Sequence, residues 1–196
     1  MEKIYENAKT AVFWDIGSCD VPDGVDVDSI TSNIRSALSN MKYFGPISFF
    51  AYGDTTVMKE EIVDEISRTI FLLQQVKGEG DRFHAFGAIA MAMFFWAKHN
   101  PGPANFLLIS GNKDFSYALT QFRKSGCNVL LGHPKREASG PLTRKASAVW
   151  HSETLLAGGS PLPFSPKWKT SHKLKTFEYK YSDTSAASSF SSPKRP

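Results

Sequence analysis

Ala11-Val12-Phe13-Trp14-Asp15-Ile16 and Ala104-Asn105-Phe106-Leu107-Leu108-Ile109-Ser110 decide the fold of this chain. Each is a short apolar run without helical period, the pattern of a strand buried on both faces. The first ends on Asp15. The second runs into Gly111-Asn112-Lys113-Asp114-Phe115. In an open parallel sheet, ligands collect beyond the carboxyl ends of the strands. Asp15 and Asp114 are both expected there, in an acidic pocket of the kind that holds Mg²⁺ or Mn²⁺ against phosphate.

Outward from these runs, strands alternate with helices. Ile30, Ile34, Ala37, Leu38 and Met41 recur at helical spacing, which predicts an amphipathic helix over 27–41. Ile47 to Tyr52 reads as a second strand, Glu60 to Arg68 as a helix, and Thr69 to Val76 as a third strand. After the turn Gly78-Glu79-Gly80-Asp81 comes a very apolar helix from Phe83 to His99, expected to bury Phe94, Phe95 and Trp96. A helix over 114–124, a strand over 127–131 and a short strand over 146–150 complete the pattern. This alternation implies right-handed crossovers and a three-layer α/β sandwich around a mainly parallel sheet of five or six strands.

A chain of 196 residues with 41% hydrophobic content suits one domain, placed at 10–159, plus a tail. Residues 160–196 carry 7 Lys+Arg against 2 Asp+Glu, a charge of +5, whereas residues 1–159 carry −1. The basic, partly disordered tail favours phosphate-rich partners and offers a surface for a protein partner. No apolar run is long enough to cross a bilayer, and the N-terminus has no signal-peptide core. Cys19 and Cys127 show no paired spacing and read as reduced thiols of an intracellular protein. His133 and His151 have no partner at metal-ligand spacing. No glycine-rich phosphate loop follows the first strand, which argues against a Rossmann-type nucleotide enzyme.

Phe13-Trp14-Asp15-Ile16, the stretch from Pro103 to Phe115, Asn128-Val129-Leu130-Leu131, Ala148-Val149-Trp150 and Leu155-Leu156-Ala157-Gly158-Gly159 together resemble the limkain-type NYN family of the PIN-like nuclease superfamily. The similarity spans about 10–159 and is closest to plant members. It implies a Mg²⁺- or Mn²⁺-dependent endoribonuclease acting on single-stranded RNA in the control of mRNA stability and gene expression. Asp15, Asp114 and Asp54 match the family's catalytic acids, with Asp15, Asp114 and Asn112 as metal ligands. Ser18, Ser110, Lys113, Lys135 and Arg136 are expected against the substrate. The family also points to peroxisomes or cytoplasmic RNA granules, although the C-terminal Lys194-Arg195-Pro196 is no peroxisomal tripeptide.

The chain departs from the family where charge matters most. The family's Asp-Ile-Glu-Asn is here Asp15-Ile16-Gly17-Ser18, and Asn112 replaces the first acid of SGDxDF. Phe86 and Ala92 stand where the central helix carries two aspartates, and Asp81 lies five residues before Phe86. Unit charges a few ångströms apart interact by roughly 4 kcal/mol at an effective dielectric near 20. Losing several should weaken metal affinity by orders of magnitude. The expectation is an RNA-acting domain with its catalytic acids partly lost, or else a degenerate module that binds RNA or protein. Oligomeric state is not legible.

Overall fold

The computed structural model describes residues 2–76, 82–135 and 140–163, with the backbone alone at 82–84. Asp81, Arg136 and the basic tail beyond 163 lie outside the described residues. After a single 3-10 turn at Lys3–Tyr5, the elements are β1 (Lys9–Asp15), α1 (Val27–Asn40), β2 (Ile47–Gly53), α2 (Glu60–Arg68), β3 (Leu72–Gln75), α3 (Arg82–His99), β4 (Ala104–Ile109), α4 (Phe115–Lys124), β5 (Asn128–His133), α5 (Gly140–Thr143), β6 (Ala148–His151) and α6 (Ser152–Leu156). The six strands form one sheet in the order β3-β2-β1-β4-β5-β6, every neighbouring pair parallel.

This order places a switch of direction at the centre. From β1 the chain steps outward to β2 and β3, then returns to lay β4 on the other side of β1. The crevice beyond β1 and β4 is where an α/β sheet most readily takes a ligand.

Both central strands are buried on both faces, which explains their unbroken apolar runs. Alternation then sorts the side chains. Val12, Trp14, Leu107, Ile109 and Trp150 pack on one face with Ile30, Ile34 and Leu38 of α1, Ile66 of α2 and Leu155 and Leu156 of α6. Ala11, Phe13, Phe106, Leu108, Val129, Leu131 and Val149 pack on the other with Ile89 and Met93 of α3, Phe115, Leu119 and Phe122 of α4, and Leu142 of α5. Three layers follow. Asp26 caps α1, its side chain accepting from the Asp28 amide at 3.1 Å.

At the amino edge a ladder of buried amides fixes the register. Asn105 Nδ2 donates to the Tyr5 carbonyl at 3.0 Å, Asn128 Nδ2 donates to Asn105 Oδ1 at 2.8 Å, and Ser147 Oγ hydrogen-bonds Asn128 Oδ1. The connections here are tight at one point and loose at another. Phe44 N donates to Glu6 O at 2.7 Å and Thr10 N to Pro46 O at 2.8 Å, closing Gly45 against the chain entering β1. Gly102, between α3 and β4, has φ of 108° and would meet nothing within 4 Å if given a Cβ.

Two expectations are corrected. The third strand is shorter than Thr69 to Val76, because Thr69 Oγ1 turns back to Ile66 O at 2.6 Å and ends α2 there. Phe94 and Phe95 are not core: they are 57% and 50% exposed, with Met91 at 54%. α3 is apolar on nearly every side, yet only one stripe can face the sheet. Ile89 and Met93 fill that stripe, and Trp96 reaches Phe106 edge-on at 5.3 Å. Two short helices, α5 and α6, were not expected. No helix among the described residues is long and apolar enough to cross a membrane.

Candidate functional site

Asp15 is the last residue of β1 and, among the described residues, the buried acid of the molecule, 4% exposed. Its position follows from alternation: Ala11 and Phe13 point to the α3–α4 face, so Asp15 does too, just past the end of the core. The neighbouring strand supplies its partners. Ser110 Oγ donates to Asp15 Oδ2 at 2.7 Å, and Ser18 Oγ, from the turn after β1, donates to the same oxygen at 2.8 Å. Each hydroxyl also accepts from the β4–α4 loop, Ser18 Oγ from the Gly111 amide and Ser110 Oγ from the Asn112 amide, both at 3.1 Å.

A hydroxyl has one proton to give. With both committed to the carboxylate, the 3.2 Å approach of Ser18 Oγ to Ser110 Oγ is a contact rather than a third bond. The arrangement is two parallel relays, amide to hydroxyl to carboxylate, that pass partial positive charge from the β4–α4 loop to Asp15. They offset the cost of burying a carboxylate. Ser110→Ala is expected to cost about 1.5–3 kcal/mol, since it removes a bond to a charged group and leaves the Asn112 amide without its acceptor. Urea denaturation of the variant beside the native protein measures this.

The other expected residues fall around this centre unequally. Asn112 Oδ1 accepts from the Asp114 amide at 3.0 Å, a local turn that sets up α4. Asp114 precedes α4 with no side-chain capping bond, is exposed, and lies on the same carboxyl edge as Asp15. Lys113 is exposed on this loop. Lys135 is exposed just beyond β5, its amide 3.4 Å from Glu153 Oε1. Asp54 follows β2, where its Oδ1 accepts from Thr56 N at 3.0 Å, Thr56 Oγ1 at 2.6 Å and Gln75 Nε2 at 3.1 Å. That oxygen holds the β2–β3 edge together. Arg136 lies outside the described residues.

Whether these donors suit a divalent ion can be read from their chemistry. Mg²⁺ wants oxygen ligands in near-octahedral geometry, with one or two carboxylates plus substrate phosphate. Asp15 Oδ2 already takes two hydroxyls, and among the described residues no three His, Cys, Asp or Glu side chains are gathered to hold a metal. The described residues do not form a ready-made metal site.

Cys19 is buried next to this centre, and its carbonyl accepts from Trp14 Nε1 at 2.7 Å. Burial pushes its thiol up to about 12, opposed in part by hydrogen bonds with Ser152 and Ser18. It is therefore a packed thiol and not a nucleophile. The unfolded chain loses this proton near 9 and the folded one only near 12, so stability is full below pH 9 and falls as pH rises through that window. The slope due to Cys19 is up to about 1.4 kcal/mol per pH unit. Urea midpoints between pH 8.5 and 11 should fall less steeply for Cys19→Ala than for the native protein.

Sequence reasoning found no partner for His133 or His151, because the strands expected over 127–131 and 146–150 stop short of both. His133 ends β5 and His151 ends β6; they are directly paired in register, with ring centroids 5.3 Å apart and planes at 71°. They are eighteen residues apart in sequence, and parallel pairing of β5 with β6 brings them together.

Three comparisons with known proteins place this chain among others. The profile of the NYN domain matches residues 9–153. The chain is 24% identical over 151 residues to meiosis regulator and mRNA stability factor 1 of Xenopus tropicalis, covering 76% of this chain and 9% of that protein. Its Bos taurus counterpart is 23% identical over 151 residues, with 76% and 8% covered. The chain thus spans less than a tenth of the length of these relatives. A crystal structure of a Vibrio parahaemolyticus protein of unknown function superposes with a TM-score of 0.50 at 14% identity, over 76% of this chain and 95% of that one. With the profile running from the start of β1 to the start of α6, the chain belongs to the NYN domain family.

Proposed function

We propose that this NYN domain binds single-stranded RNA along the carboxyl edge of its sheet, over Asp15, Ser18 and Ser110. The observation that carries the reading is the Asp15 centre itself. A buried carboxylate costs stability, and here it is kept at the crevice between β1 and β4 by two dedicated hydroxyl relays. A residue kept at such cost, at the fold's ligand edge, serves function rather than packing. The name of the relatives, an mRNA stability factor, supports RNA as the ligand class. Lys113, Lys135 and the basic residues after 160 supply charge for the phosphates.

Metal-dependent hydrolysis is the second reading. Asp15 at the end of β1 and Asp114 on the same edge favour it. A bound Mg²⁺ or Mn²⁺ would supply an activated water and neutralise phosphate charge. The chain's own part is to hold Asp15 fixed and to aim the Gly111 and Asn112 amides through the two serines.

Purified protein and 5′-labelled single-stranded RNA, in EDTA and then in Mn²⁺, test both. Binding in EDTA that falls steeply with salt and weakens on deleting residues 164–196 is the expected result. Absence of RNA binding under both conditions overturns the proposal. Cleavage in Mn²⁺ that disappears in the Asp15→Asn, Asp114→Asn double variant establishes the second reading, and cleavage that survives it removes these two residues from any catalytic role.

A further inference from the structure

Five neighbouring strands end in one polar row. Tyr52 of β2 pairs in register with Asp15 of β1. Asp15 bonds Ser110, the residue after β4. Ser110 lies one step beyond the Ile109–Gly132 pairing, which brings it beside His133 of β5, and His133 pairs with His151 of β6. Alternation puts all five on the α3–α4 face of the sheet. With strands about 4.8 Å apart, the histidine pair continues the Asp15–Ser110 centre sideways by roughly 10–15 Å.

The hydrogen bonds at the pair set what it presents. His133 Nδ1 lies 2.9 Å from the Pro134 carbonyl, which can only accept, so Nδ1 carries the proton. In the neutral ring, Nε2 is then an acceptor. His151 Nδ1 is buried without a hydrogen-bond partner. A buried orphan N–H is rarer and costlier than a bare acceptor, so the neutral ring places its proton on Nε2. The pair therefore carries one acceptor, Nε2 of a His133 ring that is only 4% exposed, and one donor, Nε2–H of the half-buried His151 beside it.

A ribose 2′-hydroxyl is the matching group: it is both donor and acceptor, and it is what separates RNA from DNA. We propose that His133 and His151 form a ribose subsite that recognises the 2′-hydroxyl of a nucleotide neighbouring the Asp15–Ser110 centre and so selects RNA over DNA. This rests on the RNA-binding reading above. His133 and His151 are positioning and specificity residues here, not catalytic ones.

Fluorescence anisotropy with the full chain in EDTA tests it, using a labelled hexaribonucleotide, its deoxy counterpart and its 2′-O-methyl counterpart. The native protein should prefer the ribonucleotide to both. His151→Phe keeps the ring contact with His133 and removes the orphan nitrogen, so its melting temperature should not fall. Its RNA affinity should drop about three- to tenfold, the loss of a neutral hydrogen bond, while its DNA affinity changes less. His151→Gln restores an N–H and should recover part of the preference. A native protein that binds RNA and DNA equally, or a preference that survives in both His133→Phe and His151→Phe, overturns the ribose subsite alone. A native protein that binds no nucleic acid overturns the RNA-binding reading, and the subsite with it.

Discussion

Gly17→Glu is expected to raise the Mn²⁺ affinity of this domain at least tenfold. In the Asp-Ile-Glu-Asn pattern that the first motif resembles, this position is Glu, and the backbone here is ready to accept it. Gly17 does not have positive φ, and a Cβ built on it would sit 3.7 Å from Asp15 Oδ1, an ordinary contact. A glutamate side chain adds its carboxylate two bonds further out, next to Asp15. Two carboxylates a few ångströms apart repel without a cation and attract one strongly. At an effective dielectric near 20, each such charge is worth roughly 4 kcal/mol to a unit charge at 4 Å, and the desolvation of both partners takes back part of that. Tenfold, about 1.4 kcal/mol, is what remains after a generous discount. The variant should melt lower than the native protein in EDTA and gain more from Mn²⁺. Titration calorimetry that finds no tighter Mn²⁺ binding in Gly17→Glu than in the native protein would overturn this expectation.

The second large effect lies at the opposite end of the sheet. Gly45→Ala should destabilise the fold by about 3 kcal/mol or more, the top of the overpacking range. Its Cβ would stand 2.0 Å from the Ala8 carbonyl oxygen, 2.6 Å from the Ala8 carbonyl carbon and 2.8 Å from the Asn7 oxygen. All three are backbone atoms, so no side chain can swing aside. The chain must instead open the turn, at the expense of the Phe44–Glu6 and Thr10–Pro46 hydrogen bonds that join the starts of β1 and β2. Denaturant unfolding measures the loss, and a change under 1 kcal/mol would show that the turn relaxes freely. RNA affinity of whatever fraction stays folded should be unaltered, because Gly45 is on the edge away from Asp15.

The strands that run through the middle were easy to read because burial on both faces leaves no ambiguity of pattern. β1 and β4 have every residue from Thr10 to Asp15 and from Ala104 to Ile109 buried. α2 matched its predicted bounds since Glu60 and Glu61 open it and Arg68 closes it, in accord with the helix dipole. α3 was legible as a helix but not as to its faces. Its apolar residues surround it, and only the assembled sheet decides that Met93 is inside and Phe94 outside. Helices of four or five residues, such as α5 and α6, have too few turns to show a period.

The site divides in the same way. Asp15 and Asp114 were readable as strand-end acids from local sequence. The two serine relays were not, because they depend on β1 lying beside β4, a pairing between residues about 95 apart. The histidine row depends likewise on which strands are neighbours. A single sequence gives the ends of strands more readily than their order, and a site that runs across strands is hidden until that order is known.

The separation of the two edges has a use for anyone engineering this domain. Every strand points its carboxyl end at one rim, so the hairpin-like passage at 100–103 on the opposite rim is mechanically remote from it. Gly102 stands in open space there. A fluorophore or a purification handle spliced into that passage would report on the protein while leaving the carboxyl rim untouched, a placement that the crowded bend at Gly45 would never tolerate.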